Sequence, residues 1–365
     1  MKLYESSSEP WQPTQGRDRQ IAVLMSGGVD SSVTAHLLRA AGWDVLGVTM
    51  KIPVCHSPRR GCCGADAAYI SAQLGIAHHF VDVTASFRQC IIDPFRDAYR
   101  VGRTPNPCID CNTDLKFAAV WDLIKGEFGI QYVATGHYAR VQHDGDHAYL
   151  ARGLDKSKDQ SYFLYGIKRE RLPYFVLPLG GLEKSHVREI AMEIKLGVAQ
   201  KPESMELCFA GEADYRNALD DEQRHQPGRL TDMQGKALGE HQGIANYTLG
   251  QRKGLGYAGG KPLYVGRIDP DTNTVALGTR DEVTTPYVTA EAINLLAPKP
   301  LEVGQALGGK IRSYSDPEPC HVEAVDEDRI TVAFDDPVFA PTPGQRLVLY
   351  DAKDRVLAGG TICRE

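Results

Sequence analysis

The stretch from Ile21 to Met50 limits the fold more than any other part of the chain. An apolar run, IAVLM, leads directly into SGGVDSS, then into the amphipathic period of SVTAHLLRAAG, and a second apolar run, WDVLGVTM, follows. Strand, glycine-rich turn, helix and strand in that order form one βαβ unit, in which a crossover helix joins two parallel strands. The pattern returns as GADAAYISAQLG before IAHHFVDV, and as LKFAAVWDLIKGEFG before IQYVATGH. Such alternation predicts an α/β domain with a parallel sheet covered by helices.

At 365 residues the chain exceeds what one hydrophobic core usually supports. A further helix is expected in KSHVREIAMEIKLGV, after which composition shifts near Cys208 toward Gly, Pro and polar residues. Beyond about Glu282 helical periods stop, and KIRSY, CHVEAV, RITVAF, QRLVLY and VLAGGTI read as short strands of a β-barrel. The expected division is a polar, disordered arm over 1–19, a catalytic α/β domain over 20–208, a small central domain over 209–281 and the barrel over 282–365. No apolar run approaches the ~20 residues a membrane span needs. An odd count of nine cysteines, with no secretory leader at the start, points to a reducing cytoplasm and to metal or redox chemistry rather than a disulfide framework. The net charge of −6 has the wrong sign for bulk electrostatic capture of nucleic acid, so any RNA contact must come from local basic groups.

Ser26-Gly27-Gly28-Val29-Asp30-Ser31-Ser32 ends a strand and opens a helix, where backbone N–H groups converge and the helix dipole is positive. Gly27 and Gly28 let the backbone approach an anion; Ser26, Ser31 and Ser32 bring hydroxyls; Asp30 can cap the helix or hold Mg²⁺. The lysine of the GxxxxGK[ST] pattern is absent from this turn, so a different nucleotide chemistry from the usual β,γ-phosphate cradle is implied. SGGVDSS resembles the loop of the ATP pyrophosphatases, which implies adenylation of a substrate oxygen with release of pyrophosphate.

Cys108 and Cys111 form a CxxC pair in GRTPNPCIDCN, between irregular chain and a helix expected to begin near Lys116, and Cys208 stands alone in KPESMELCFAG. By itself the pair reads as half a zinc site or a coincidence. Beside a loop that activates oxygen as an adenylate, a thiolate or persulfide is a suitable nucleophile, and sulfur transfer is the expectation. Cys62 and Cys63 could supply a further ligand or simply pack, and Cys55, Cys90, Cys320 and Cys363 receive no role.

Taken together, SGGVDSS, TPNPCxxCN, ATGHYAR, KDQSYFL, ESMELCF, NYTLGQRKGL and YVGRID occur in the order found in the tRNA-specific 2-thiouridylases, and the resemblance spans about residues 20 to 365. It implies an adenine nucleotide alpha-hydrolase-like domain, a central domain and a barrel that together clamp a tRNA anticodon arm. The implied reaction adenylates O2 of the wobble uridine, U34, and delivers sulfur to C2, with ATP cleaved to AMP and pyrophosphate, Mg²⁺ as cofactor, and a sulfur donor protein or sulfide as the source. Cys208 is the implied persulfide carrier and Cys111 the residue that releases its sulfur. Cys108 stands where the family often has aspartate, so three thiolates from Cys108, Cys111 and Cys208 could instead hold a [4Fe–4S] cluster with one iron open. Nucleotide contacts carried over are Leu24, Met25, Ser26, Gly27, Gly28, Val29, Asp30 and Ser31, with Met50 and Gly136 at the ends of later strands. RNA contacts carried over are Asn106, Pro107, Cys108, His137, Lys158, Asp159, Gln160, Arg312, Ser313 and Gln345. Arg252, Lys253 and Lys310 are further candidates for phosphate contacts. Two other functions use the same features: another adenylating ligase or amidotransferase without cysteine chemistry, or a non-catalytic iron–sulfur or zinc protein that binds RNA.

Overall fold

The computed structural model describes residues 19–53, 63–201, 207–210, 214–257 and 259–364, and gives Cys63 by its backbone alone. The expected N-terminal arm therefore lies outside the described residues up to residue 18, as do Cys55 and Cys62.

The first domain is built on a parallel sheet in the order β3 (Ala77–Asp82), β2 (Asp44–Lys51), β1 (Gln20–Leu24), β4 (Tyr132–Ala134) and β7 (Phe175–Val176). Strand alternation divides β1 between two cores. Ile21 and Val23 pack with Val33, Leu37 and Leu38 of helix α1 (Val29–Ala40), Ile70 of α2 (Cys63–Leu74) and Val187 of the helix Lys184–Glu193. Ala22 and Leu24 face Leu115, Phe117 and Val120 on the other side. The chain runs outward from β1 to β2 and β3 and then returns to β4 on the opposite flank of β1. This reversal opens a crevice at the carboxyl ends of β1 and β4, the usual ligand position in such sheets.

A hairpin, β5 (Ala139–Asp144) with β6 (His147–Arg152), follows β4. The central unit has a four-stranded sheet in the order β10 (Tyr264–Asp269), β11 (Thr274–Gly278), β8 (Gly228–Asp232), β9 (Ala237–His241), closed over Leu230, Tyr247, Val265 and Val275. The last unit is a closed barrel of β12 (Thr284–Leu295), β15 (Arg329–Phe339), β14 (Glu318–Val325), β13 (Ala306–Lys310), β16 (Arg346–Tyr350) and β17 (Val356–Ile362). Closure leaves it no free strand edge.

Two expectations change. The helix expected to begin near Lys116 begins at Pro107, with a short α-turn over Pro107–Asp110 that runs into ten residues of π-helix, Cys111–Val120. Proline at the first helical position explains the early start. The KIRSY segment is a strand only to Lys310, and Arg312 and Ser313 lie in the turn beyond it.

The barrel is joined to the first domain by polar contacts that cross the boundary. Tyr162 donates from its hydroxyl to the carbonyl of Arg346 at 2.9 Å, and the hydroxyls of Ser161 and Tyr350 lie 3.1 Å apart. The Arg152 guanidinium reaches Asp159 at 3.3 Å, Asp316 at 2.5 Å and Asp354 at 3.3 Å.

Candidate active site: a phosphate loop and three cysteines

Met25 to Gly28 turn the chain from β1 into α1 at the crevice. The Met25 amide donates to Val48 at 2.8 Å, and the Thr49 hydroxyl donates to the Met25 carbonyl at 2.9 Å, so β2 fixes the start of the turn. Gly27 then takes φ +72°, a left-handed conformation that a side chain disfavours, and Gly28 precedes the helix in extended conformation. Ser31 and Ser32 are buried and donate to the Gly28 carbonyl at 3.3 and 2.7 Å, which stiffens the first turn. Ser26 stays exposed, its hydroxyl 3.3 Å from that of Ser31.

Asp30 does not cap the helix. Both its oxygens accept from the Lys184 ammonium, at 2.6 and 2.8 Å, and Oδ1 also accepts from the Tyr138 hydroxyl at 2.9 Å. Gly136 is pressed against the same turn: a Cβ there would lie 2.7 Å from the Asp30 carbonyl carbon and 2.7 Å from the Ser31 nitrogen. Met50, near the carboxyl end of β2, is half-buried against the core beside Leu24 and Val48.

Across the domain, Cys108 is exposed and Cys111 is buried on the helix that starts at Pro107, and Cys208 is exposed beyond the helix Lys184–Glu193. Burial pushes the Cys111 thiol up, and the protein packed around the Cys208 sulfur, although the residue as a whole is exposed, pushes its thiol up to about 12, with the neighbouring Cys111 and Cys108 thiols adding to the rise. Lys116 opposes the rise at Cys108, Cys111 and Cys208 alike. Its ammonium donates to Asn112 Oδ1 at 2.9 Å, and Asn112 is held in turn by its amide donating to the Phe163 carbonyl at 3.0 Å. Burial, with Lys116 nearby, holds the His137 imidazole down at about 3, so it is neutral; its Nδ1 lies 2.8 Å from the Thr135 hydroxyl.

The three cysteines feel one another electrostatically, but among the described residues no three His, Cys, Asp or Glu side chains are gathered as a metal ion requires. The described cysteines Cys90, Cys108, Cys111, Cys208, Cys320 and Cys363 are free thiols.

The candidate RNA residues divide by surroundings. Asn106 precedes the cysteine helix without a side-chain cap bond, with Pro107 buried behind it. Asp159 corrects the expectation of an RNA contact: its side chain is 1% exposed and accepts from Arg152, from the amides of Gly153 and Ser161, and from the Ser161 hydroxyl. Lys310 is likewise removed from the phosphate candidates, since it is 2% exposed and lies 3.8 Å from Asp159. Gln160 accepts from the Tyr138 amide at 3.0 Å, and Lys158 is half-buried. Gln345 donates its amide to the carbonyls of Thr104 and Pro105 at 3.0 and 3.3 Å, which ties the barrel to the loop before the cysteines. Arg312 is exposed and donates to the Ala340 carbonyl at 3.0 Å; Ser313 is half-buried and the adjacent Tyr314 is 87% exposed. Arg252 and Lys253 are exposed on the central unit.

Sequence reasoning missed Lys184, Tyr138, Lys116, Asn112 and the ion pair of Arg346 with Asp110. Lys184 stands at the start of a helix that was legible, but its partner is 154 residues away.

Three family models match the chain in succession: a tRNA methyl transferase HUP domain over 19–212, a tRNA methyl transferase PRC-barrel domain over 216–279 and an aminomethyltransferase beta-barrel domain over 286–362. Full-length relatives carry a different activity in their names. The tRNA-specific 2-thiouridylase of Carboxydothermus hydrogenoformans is 43% identical over 358 residues, which covers 94% of this chain and 97% of that protein. That of Salinibacter ruber is 43% identical over 364 residues, 94% of each chain, and that of Picosynechococcus is 42% identical over 349 residues, 94% of this chain and 98% of that one. A solved U34-tRNA thiolase from Methanococcus maripaludis, with its [4Fe–4S] cluster, overlays at TM-score 0.33 and 17% identity over 53% of this chain and 62% of that one, too distant a likeness to carry residues across. Identity at this level over nearly the whole length, on a fold that sets a phosphate loop and a cysteine helix into one domain, places the chain in the tRNA-specific 2-thiouridylase family.

Proposed function

We propose that this protein replaces O2 of the tRNA wobble uridine, U34, by sulfur, with ATP cleaved to AMP and pyrophosphate. The observation that carries the proposal is the pairing, within the domain 20–208, of a lysine-free phosphate loop with cysteines on a helix whose start is fixed by Pro107. The Gly27–Gly28 turn and the α1 N-terminus hold the phosphates of ATP, and Met50 and Gly136 line the nucleotide at the strand ends. Mg²⁺ bound with ATP would neutralise phosphate charge, and Asp30 is the loop carboxylate that would hold it. The uridine O2 attacks the α-phosphate, and a sulfur carried as a persulfide on Cys208 then attacks C2 and displaces AMP. Cys111 takes the remaining sulfane bond by forming a disulfide with Cys208, which leaves sulfur on the base.

Desolvation of the two sulfurs favours the protonated thiols of Cys111 and Cys208 in the free enzyme, and Lys116 is the cation that favours their thiolates. A persulfide is more acidic than a thiol, so loading Cys208 with sulfur also helps to create its anion. The small central unit, with Arg252 and Lys253, and the barrel turn, with Arg312, Ser313 and Tyr314, are the surfaces that take the anticodon arm. The protein acts where its tRNA substrate is, in the cytoplasm; among the described residues no helix is long and apolar enough to cross a membrane.

Thiolation of unmodified tRNA, assayed after anaerobic purification with iron and sulfide analysis, tests the chemistry. The persulfide route predicts turnover by metal-free protein with a persulfide donor, loss of turnover in Cys208→Ser, and AMP release only when tRNA is present. Activity that requires near-stoichiometric iron and sulfide would instead establish the cluster reading, with Cys108, Cys111 and Cys208 gathered as ligands on assembly. Full ATP turnover by Cys208→Ser on an amine acceptor would establish an amidotransferase.

A further inference from the structure

The phosphate loop lacks the lysine that many nucleotide loops place against the outer phosphates, yet a lysine arrives at the same point from elsewhere in the chain. Lys184 begins the helix Lys184–Glu193, which packs against α1 through Val187, Ile190 and Ala191. It is 8% exposed, and its ammonium meets both Asp30 oxygens at 2.6 and 2.8 Å, with the Tyr138 ring 5.3 Å away. Its backbone amide donates to Asp155 at 3.2 Å, so the residue is anchored at both ends. Asp30 lies in the first turn of α1, where the helix dipole already favours an anion and where a polyphosphate would otherwise meet a carboxylate.

We propose that Lys184 binds the pyrophosphate half of ATP: Asp30 holds its ammonium at the mouth of the phosphate loop in the free enzyme, and the ammonium turns to the phosphates when the nucleotide binds, with Asp30 the residue that would hold an accompanying Mg²⁺. This assignment rests on the adenylation chemistry proposed above. In that step the bond from uridine O2 to the α-phosphorus forms, and the bond from that phosphorus to the bridging oxygen breaks with its electron pair retained by pyrophosphate. The ammonium donates hydrogen bonds to the departing group and stabilises the negative charge that grows on it. Tyr138 donates to Asp30 and keeps the carboxylate aimed at the crevice when the lysine leaves it. The other lysine near the loop, Lys201, is about 40% exposed, bonds Asp66 at 2.5 Å and reaches the Gly27 carbonyl only at 3.5 Å, so it is the poorer candidate.

Binding of inorganic pyrophosphate and of AMP, each titrated separately into the full-length protein, tests this. Because Lys184→Met alone leaves the Asp30 carboxylate bare beside the loop, where it would repel any anion, the informative comparison is Asp30→Asn against Asp30→Asn/Lys184→Met, measured without Mg²⁺; the two proteins then differ only in the ammonium. Loss of the lysine should weaken pyrophosphate by about tenfold or more, the scale of one charge-assisted hydrogen bond, with AMP changed less than about twofold. Lys184→Arg, in the natural background, should retain most of the pyrophosphate affinity. Equal affinities for pyrophosphate in the two proteins that carry Asp30→Asn, or parallel losses of pyrophosphate and AMP, overturn the assignment while the adenylation reading stands. Wild-type protein that binds neither ATP, AMP nor pyrophosphate overturns both.

Discussion

Gly136→Ala is the smallest change that should damage nucleotide binding without touching a polar group. The added methyl would sit 2.7 Å from the Asp30 carbonyl carbon, 2.7 Å from the Ser31 nitrogen and 2.9 Å from the Asp30 Cβ. Unbonded carbons prefer about 3.5–4.0 Å, so the first turn of α1 must retreat by roughly 1 Å. The atoms struck are mainly backbone, and α1 is held in place through its own Val33, Leu37 and Leu38, which pack with Ile21, Val23 and Val187, so no side-chain rotation relieves the clash. Overpacking of this kind costs about 1–3 kcal/mol of stability. If the displaced turn also loses one amide bond to a phosphate, ATP affinity falls by about tenfold to a hundredfold. Thermal unfolding with and without saturating ATP reads both effects: the melting point should drop, and the rise on adding ATP should shrink. A variant with the wild-type melting point and the wild-type ATP dissociation constant would refute the argument that the Gly136 backbone supports the loop.

Three further outcomes follow from the partners seen at the site. Arg346→Met strands the Asp110 carboxylate in the interdomain seam and should cost about 3–5 kcal/mol in chemical denaturation, most of it recovered in Arg346→Met/Asp110→Asn, since the second change removes the uncompensated charge. Lys116→Met removes the cation that favours the thiolates, so the pH at which Cys111 and Cys208 become reactive to an alkylating reagent should move upward when followed by mass spectrometry. His137 is held at about 3 against an ordinary 6.5, so the fold prefers the neutral ring: its stabilisation is complete above pH 6.5 and is lost as pH falls from there toward 3. His137→Asn should therefore flatten the decline of stability with acid across that window, and an unchanged slope would count against burial as the cause.

The sheet and the barrel are legible because their signals are local. The apolar runs of β1 and β2, the glycines between them and the β-rich runs after Glu282 each report on their own conformation within a few residues. The start of the cysteine helix is hidden because Pro107, which begins it, sits among residues that look like a proline-rich loop, and π-helix has no sequence period of its own to betray it. Polar residues are the least legible. Asp159 and Lys310 look like surface charges in sequence, and only the fold reveals that they face each other under Arg152. Arg346 and Asp110 are 236 residues apart, and Lys184 and Asp30 are 154 apart, so the type of each residue is visible while its partner is not.

The contacts between the loop before the cysteines and the barrel have a mechanical consequence. Thr104 donates its amide to the Pro343 carbonyl at 2.8 Å, Gln345 returns two bonds from its side chain, and Gly344, at φ +94°, lies so close that a Cβ would stand 2.9 Å from the Thr104 oxygen. The barrel cannot swing aside without pulling on the segment that leads into Cys108 and Cys111. The helix that carries Cys108 and Cys111 and the barrel turn that carries Arg312 are therefore two jaws of one frame, and the spacing between them is set by these backbone contacts and not by a hinge.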